Sequence, residues 1–151
     1  MSVVKHKMIL NNWDARFLDL AKLVSSWSKD PSTKVGAIIA DRNNKIISMG
    51  YNGFPVGIKD NDRLNNRDLK YEIIIHAECN AMMFANVSLK GYKLYTYPFM
   101  PCPKCSSMII QAGITTVVSY NNTPERWATN FKLSTELFNE ANIELILYDE
   151  I

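Results

Sequence analysis

The chain has 151 residues, of which 47% are hydrophobic and 21% charged, and its formal net charge is +2. This length and apolar content suit one globular domain over residues 1–151 with a single core, and they exclude a disordered or low-complexity chain. Because 17 basic residues are matched by 15 acidic ones, the basic excess typical of a nucleic-acid-binding surface is missing, and no nucleic-acid partner is expected.

The N-terminal segment has neither a long apolar run nor a small-residue cleavage site, so no secretory signal is predicted. No later segment reaches the length of a membrane span. These features indicate a soluble, cytoplasmic protein without a membrane partner. In that reducing compartment the three cysteines, two of them in a C-x-x-C pair, point to metal or redox chemistry rather than to disulfides.

Apolar periodicity and turn residues divide the chain into four helices and five strands. In chain order they are a helix over 12–27 with an apolar stripe of Trp13, Phe17, Leu20, Leu23, Val24 and Trp27, strands over 35–40 and 45–49, a helix over 76–86, a strand over 93–97, a helix over 102–111, a strand over 115–120, a helix in one or two pieces over 123–141, and a strand over 143–148. This alternation predicts an α/β fold with helices on both faces of a sheet, which is mixed because the first two strands form a hairpin.

Local residues set the expected limits and burial of these elements. Pro103 in a first helical turn and Gly113 after the last one predict the ends of the helix over 102–111. The helix over 76–86 is expected to bury four apolar side chains, which are Ala77, Ala81, Met82 and Phe84.

The glycine-rich and then polar segment 50–70 predicts a long loop. Loops of this length in a compact domain usually bind a ligand or are disordered, so this one is a candidate binding element. Its basic residues alternate with acidic ones, which favours a solvated loop over a phosphate site. The residues concerned are Arg63, Arg67 and Lys70 against Asp60, Asp62 and Asp68.

Two predicted helix starts carry a motif with chemical meaning, His76-Ala77-Glu78 and then Pro101-Cys102-Pro103-Lys104-Cys105. Together they match the H-x-E…P-C-x-x-C pattern of zinc deaminases that act on nucleobases. One imidazole and two thiolates are good zinc ligands, and a catalytic zinc site keeps its fourth position open for water. The motif therefore predicts a catalytic Zn²⁺ ion on His76, Cys102 and Cys105.

Glu78 is the expected proton carrier of such a site. It lies two residues after the histidine, so its side chain points in a different direction and can face a metal-bound water. Zinc lowers the pKa of that water from about 16 toward about 7, and the helix N-termini help the thiols to ionise. Hydroxide can then attack C4 of a cytosine while Glu78 takes the water proton, passes one to N3 and protonates the departing ammonia.

Cys79 leaves a structural alternative open. His76 and Cys79 are three residues apart on the predicted helix, so with Cys102 and Cys105 they could form a closed Cys₃His site. The chain would then be a zinc-stabilised binding module without catalysis. A redox role of the C-x-x-C pair leaves the histidine unexplained, and Cys79 also suits a small buried apolar position.

The similarity to known proteins extends beyond this motif. It is carried by four blocks, which are SKDPSTKVGAIIA at 28–40, GYNGFPVG at 50–57, HAECNAM at 76–82 and PCPKCSSMIIQAGITTVV at 101–118. On these blocks the chain resembles the deoxycytidylate (dCMP) deaminase family of the cytidine-deaminase-like superfamily. The resemblance implies hydrolysis of dCMP to dUMP and ammonia on a three-layer α/β/α sandwich around a five-stranded mixed sheet. Zinc deaminases that act on a free nucleoside, a pterin-like ring or a tRNA base share the metal motif and are the nearest alternatives.

The resemblance also implies substrate-binding residues. Asn52 would contact the deoxyribose, although an asparagine here is also typical of a turn. Thr33 and Lys34 would meet the phosphate or lie in a solvated loop, and Tyr120 would cover the base or phosphate or simply pack. The full implied set is Thr33, Lys34, Asn52, Ala77 and Tyr120.

Regulation and assembly are implied in the same way. Members of the family are often hexamers that dCTP activates and dTTP inhibits at a separate site. Carried over to this chain, the effector site would include Gly53, Phe54 and Gly57, with Mg²⁺ on the triphosphate. The resemblance therefore implies a homo-oligomer, a hexamer, with two nucleotide effectors.

Overall fold

The computed structural model describes residues 4–7 and 12–150 of the chain. Its elements in chain order are β1 (Val4–Lys7), α1 (Asn12–Ser25), β2 (Gly36–Ala40), β3 (Ile46–Tyr51), α2 (Arg67–Ile73), α3 (Ala77–Phe84), β4 (Lys93–Tyr97), α4 (Pro103–Ala112), β5 (Thr116–Tyr120), α5 (Ala128–Glu140) and β6 (Glu144–Tyr148). Short 3₁₀ turns, Asp62–Asn65 and Glu125–Trp127, precede α2 and α5. Within these ranges no helix combines the length and apolar character needed to cross a membrane.

Six strands form one mixed sheet in the order β1-β6-β5-β4-β2-β3. β2 pairs antiparallel with β3 and β4, whereas the pairs β4–β5, β5–β6 and β1–β6 are parallel. The predicted hairpin and all five predicted strands are present. The sheet has one strand more than expected because β1, in a segment without a strand pattern, pairs with the outer side of β6.

Helices cover both faces of the sheet, which confirms the three-layer α/β/α arrangement. Successive residues of a strand point to opposite faces, and here they enter two separate cores. Ile38, Tyr95 and Val118 pack with α1, whereas Leu94 and Val117 pack with α3, α4 and α5. The strands are therefore buried on both sides, as expected for the central layer of a sandwich.

Small residues bring the helices close to the sheet, and this overturns part of the predicted burial. A Cβ atom on Gly36 would lie 2.0 Å from the Ala21 oxygen of α1, and one on Gly50 would lie 2.5 Å from the Ala77 oxygen of α3. Ala21, Ala77 and Ala81 are fully buried at these contacts, whereas several large side chains of the same helices are exposed. Phe84 is 58% exposed, so its predicted burial is wrong. The predicted apolar stripe over 12–27 is also partly wrong. In α1, Trp13 and Leu23 are exposed while Phe17, Leu18, Ala21 and Val24 are buried, and the exposed Trp27 lies beyond the end of the helix at Ser25.

The segment 50–70 is not a loop throughout. The Asn61 side chain accepts from the Arg63 backbone N–H, and the Asn66 side chain caps α2 by accepting from Leu69 N–H. α2 carries Lys70 into the interior, where it is only 2% exposed. The prediction of a solvated loop is therefore wrong for Lys70.

Candidate active site

The two motif segments meet where α3 and α4 begin. His76 immediately precedes α3, Cys102 immediately precedes α4, and Cys105 lies in the first turn of α4. The ends of α4 are as predicted, with Pro103 in the first turn and Gly113 beyond the last at φ 86°. The His76 Nδ1 atom lies 3.4 Å from Cys102 Sγ and 3.3 Å from Cys105 Sγ.

These three side chains suit a zinc ion. Their ligand atoms all lie within 4.8 Å of one another, and one imidazole nitrogen with two thiolate sulfurs is a donor set that zinc favours. Hydrogen bonds from Cys105 and His76 lower the pKa of Cys102 to about 4. The hydrogen bond to Cys102 raises the pKa of His76 to about 9. A metal ion would replace the His76 proton, so zinc binding is expected to release protons.

Cys79 is close to this group without belonging to it. Its Sγ atom lies 3.4 Å from Cys105 Sγ and 3.6 Å from Met108 Sδ. It is absent from the group whose ligand atoms lie within 4.8 Å of one another. The geometry therefore favours three protein ligands over a closed Cys₃His site.

Glu78 stands beside the candidate ligands as a buried carboxyl group. It is 4% exposed, and it lines the same cavity as His76 and Cys102. Burial raises the pKa of Glu78 above its usual value. A carboxyl group with a raised pKa can both accept and return a proton near neutral pH.

One cavity connects this group to the surface. Its polar wall is formed by Asp30, Ser32, Thr33, Asn52, Lys70 and Arg126, and its apolar wall by Val35, Tyr71, Ile74, Ala77, Phe99, Met100, Trp127 and Phe131. Three of the five implied substrate-binding residues are in this wall, namely Thr33, Asn52 and Ala77. The remaining implied residues do not line the cavity; these are Lys34, Tyr120, Gly53, Phe54 and Gly57.

Asn52 holds the segment that enters β2. Its Oδ1 accepts from the Val35 N–H at 2.9 Å, and its Nδ2 donates to the Thr33 carbonyl at 2.9 Å and to Asp30 Oδ2 at 3.4 Å. Both amide hydrogens are therefore used inside the protein. The Oδ1 atom keeps a second lone pair for a ligand hydroxyl.

Two implied residues have other surroundings. Lys34 is exposed, as a solvated loop residue would be. Tyr120 packs edge to face on Tyr97, with ring centroids 6.0 Å apart. Both substrate-binding roles stay predictions.

Several cavity residues escaped the sequence patterns, above all Lys70, Arg126, Trp127 and Phe131. The last three follow β5, a parallel strand, and ligands in α/β proteins usually bind beyond the carboxyl ends of such strands. This rule could have identified the segment after β5 as part of the site. The signal for Lys70 was weaker, because a lysine in a polar run is ordinarily solvated.

The family model and the relatives found by comparison with known proteins are all deaminases. The family described as "Cytidine and deoxycytidylate deaminase zinc-binding region" matches residues 11–121. A protein of Aliivibrio fischeri named "Uncharacterized deaminase in luxG 3'region" is 41% identical over 140 residues, covering 91% of this chain and 94% of that protein. The deoxycytidylate deaminases of Mus musculus and Homo sapiens are 40% and 38% identical, covering 85% and 87% of this chain and 79% and 76% of those proteins.

Two solved structures of a dCMP deaminase are also similar to this chain. The apo crystal structure of dCMP deaminase from the cyanophage S-TIM5 matches with a TM-score of 0.73 at 28% identity, covering 92% of this chain and 99% of that one. The structure of that deaminase in complex with dCMP and dUMP matches with a TM-score of 0.71 at 25% identity, covering 93% and 98%.

Proposed function

This chain belongs to the cytidine and deoxycytidylate deaminase zinc-binding family, and from that premise we propose that it hydrolyses dCMP to dUMP and ammonia. The observation that carries the proposal is the meeting of His76, Cys102 and Cys105 at a cavity that the buried Glu78 lines together with His76 and Cys102. Relatives named deoxycytidylate deaminase, and a similar structure solved with dCMP and dUMP, support this substrate.

The four residues divide into metal ligands and a proton carrier in the proposed reaction. His76, Cys102 and Cys105 would hold zinc, which supplies a Lewis acid able to lower the pKa of a water molecule to about 7. Glu78 accepts the proton of the attacking water at its carboxylate and delivers it to N3 of the cytosine. It then takes the proton of the new C4 hydroxyl group and delivers it to the amino group, so that the C4–N bond breaks, ammonia leaves and C4 keeps its oxygen as a carbonyl. Burial raises the pKa of Glu78, which favours the protonated form that the later transfers require.

The cavity wall would hold the rest of the nucleotide. The Asn52 Oδ1 lone pair is available to a deoxyribose hydroxyl, and Ala77, which is fully buried, leaves room for the base. Thr33, whose carbonyl accepts from Asn52, also lines the cavity, and its hydroxyl accepts from exposed Arg126. Lys34 and Tyr120 would join the substrate only through a rearrangement of their surroundings.

Regulation by nucleotides is a further part of the proposal, and it rests on family resemblance. dCTP, with Mg²⁺ on its phosphates, would activate the enzyme and dTTP would inhibit it at a site that includes Gly53, Phe54 and Gly57. In the loop that carries them, Val56 is 90% exposed and Gly57 is also exposed. Gly57 adopts a left-handed backbone at φ 88° that only glycine readily tolerates.

The proposed active form is a cytoplasmic homo-hexamer of single-domain subunits. Large apolar side chains are exposed on the edge strand β3 and on the neighbouring α3, among them Met49, Tyr51, Met83 and Phe84. Exposed apolar groups of this kind support a subunit contact. All three cysteines are free thiols, as expected in a reducing compartment.

The proposal is tested with purified, zinc-loaded protein and two matched variants. Wild type is expected to release ammonia from dCMP. Glu78→Gln should retain zinc while kcat falls roughly 10²–10⁴-fold, because the proton carrier is lost. Glu72→Gln changes an exposed carboxylate on α2 and should leave both the zinc content and kcat unchanged. Absence of dCMP turnover by the zinc-loaded wild type, or undiminished turnover by Glu78→Gln, would overturn the proposal.

A further inference from the structure

Arg126 and Trp127 also line the cavity, and they come from a part of the chain that follows the zinc motif. Both belong to the Glu125–Trp127 turn between β5 and α5. The Arg126 Nη2 atom donates to Thr33 Oγ1 at 2.9 Å, and the Arg126 Cζ atom lies 5.4 Å from the centre of the Trp127 ring. An exposed guanidinium is thus held against the cavity by a hydroxyl group and an aromatic face.

Arg126 differs from the other cationic groups of the cavity in having no acidic partner. Lys70 also lines the cavity, but its Nζ lies 3.0 Å from the Asp30 carboxylate and both side chains are buried. His76 is committed to the candidate metal group. Within residues 4–7 and 12–150, Arg126 forms no ion pair, so its charge is available to an anion.

Trp127 adds a second donor. Its indole Nε1 atom is buried and has no hydrogen-bond partner in the described part of the chain. Buried N–H groups without an acceptor are rare in native proteins and call for an explanation. The Trp127 ring lines the cavity and packs against the core that contains Phe131, so its place in the wall is fixed.

We propose that the Glu125–Trp127 turn reads the 5′-phosphate of the substrate, with the Arg126 guanidinium pairing with the phosphate and the Trp127 N–H donating to one of its oxygens. A guanidinium presents parallel donors that match phosphate oxygens. Thr33, whose hydroxyl already accepts from Arg126, orients the guanidinium. The inference rests on the proposed function, because it takes a cytosine nucleotide whose base reaches Glu78.

The test compares a substrate that carries the phosphate with one that lacks it. The variants are Arg126→Gln, Arg126→Lys and Trp127→Phe, each measured for kcat/KM with dCMP and with deoxycytidine, and for the dissociation constant of dUMP by calorimetry. Hydrogen bonds to charged groups contribute about 1.5–3 kcal/mol, which corresponds to roughly 10–150-fold. Arg126→Gln should therefore lose about that factor with dCMP and dUMP and almost nothing with deoxycytidine.

The other variants separate charge, donor and packing. Arg126→Lys keeps the positive charge without the parallel donors of the guanidinium, so its kcat/KM with dCMP should fall less than that of Arg126→Gln. Trp127→Phe keeps an aromatic ring without the N–H and should lose roughly tenfold with dCMP alone. Lys132→Gln removes an exposed cation on α5 and is the matched control, expected to change neither substrate. Zinc content and thermal unfolding of each variant exclude a folding defect as the cause.

The outcomes distinguish this inference from the function on which it rests. Equal losses of kcat/KM with dCMP and deoxycytidine would mean that Arg126 and Trp127 contact the base or the sugar, and would overturn the phosphate assignment. A wild type that prefers dCMP, with Arg126→Gln and Trp127→Phe equally active, would overturn it as well while the proposed function stands. A wild type that deaminates neither compound would reject the proposed function instead.

Discussion

The Lys70 Nζ atom lies 3.0 Å from the Asp30 Oδ1 atom, and both side chains are buried beside the cavity. Lys70 also donates to Ser32 Oγ at 3.1 Å, and Asp30 accepts from the backbone N–H groups of Ser32 and Thr33. The ion pair thereby ties α2 to the segment that leads into β2. This segment presents Thr33 to Arg126, so the pair supports the cavity wall as well as the fold.

Removal of the Lys70 amine should be costly. Lys70→Ala leaves the Asp30 carboxylate buried without a counter-charge, so the free energy of unfolding is expected to fall by about 3–5 kcal/mol. Lys29→Ala breaks an exposed pair, 3.3 Å from Asp60 with the Lys29 side chain 72% exposed, and should cost less than about 1 kcal/mol. Urea unfolding of both variants measures the difference, and similar losses would contradict the structural role given to Lys70.

Gly50 is expected to control how closely α3 approaches β3. A Cβ atom there would lie 2.5 Å from both the Ala77 oxygen and the Ala81 nitrogen, which are backbone atoms of α3. Gly50→Ala should therefore destabilise the protein by about 1–3 kcal/mol and weaken zinc binding, because α3 follows directly on His76. Gly53→Ala is the control, since nothing lies within 4 Å of its added Cβ. Thermal unfolding and zinc titration test both variants, and an unaffected Gly50→Ala would show that α3 moves freely.

The buried Glu78 carboxyl group should make the metal-free protein less stable at neutral pH. Burial raises its pKa above the usual 4.5, so the folded protein binds this proton more tightly than the unfolded chain. The stability contributed by Glu78 is therefore fully present below pH 4.5 and is lost as the pH rises through the folded-state pKa. Glu78→Gln removes the buried charge and should be more stable than wild type at neutral pH, with the difference vanishing in acid.

Thermal unfolding in the presence of a chelator, repeated across the pH range, measures this effect. For a chain of this size each kcal/mol of relief raises Tm by about 2–4 °C. Glu72→Gln, on the exposed side of α2, should show no such pH dependence. A Glu78→Gln protein that melts below wild type at neutral pH would mean that the carboxylate stabilises the fold.

Helices and strands whose limits are set by residues nearby in the chain could be predicted from the sequence. Features that depend on contacts between residues far apart in the chain could not. β4 occupies 93–97 as predicted, and Pro103 and Gly113 mark the ends of α4. α2 was missed because it has only seven residues in a polar segment, with Asn61 and Asn66 as the signals before it.

The same distinction holds within the candidate site. His76, Cys102 and Cys105 form a recognisable motif, and the structure brings them together. Lys70 is buried because Asp30, 40 residues earlier, meets it in the fold. Arg126 and Trp127 reach the cavity because β5 runs parallel to β4, which no local spacing reveals.

Cysteine substitution should separate the zinc ligands from their neighbour. Cys105→Ser is expected to lose zinc, because it removes a ligand of the candidate group. Cys79→Ser should retain one zinc ion per chain, since the Cys79 sulfur contacts Cys105 and Met108 without belonging to that group. Metal analysis after gel filtration provides the measurement. Loss of zinc from both variants would indicate a closed site.

Zinc K-edge X-ray absorption of the purified, zinc-loaded protein tests most directly whether the protein leaves one zinc coordination position to water. Two sulfur ligands at about 2.3 Å and two nitrogen or oxygen ligands at about 2.0–2.1 Å are expected, contributed by Cys102, Cys105, His76 and solvent. Three sulfur ligands with one nitrogen would contradict the proposed hydrolysis, because Cys79 would then close the position that water must occupy.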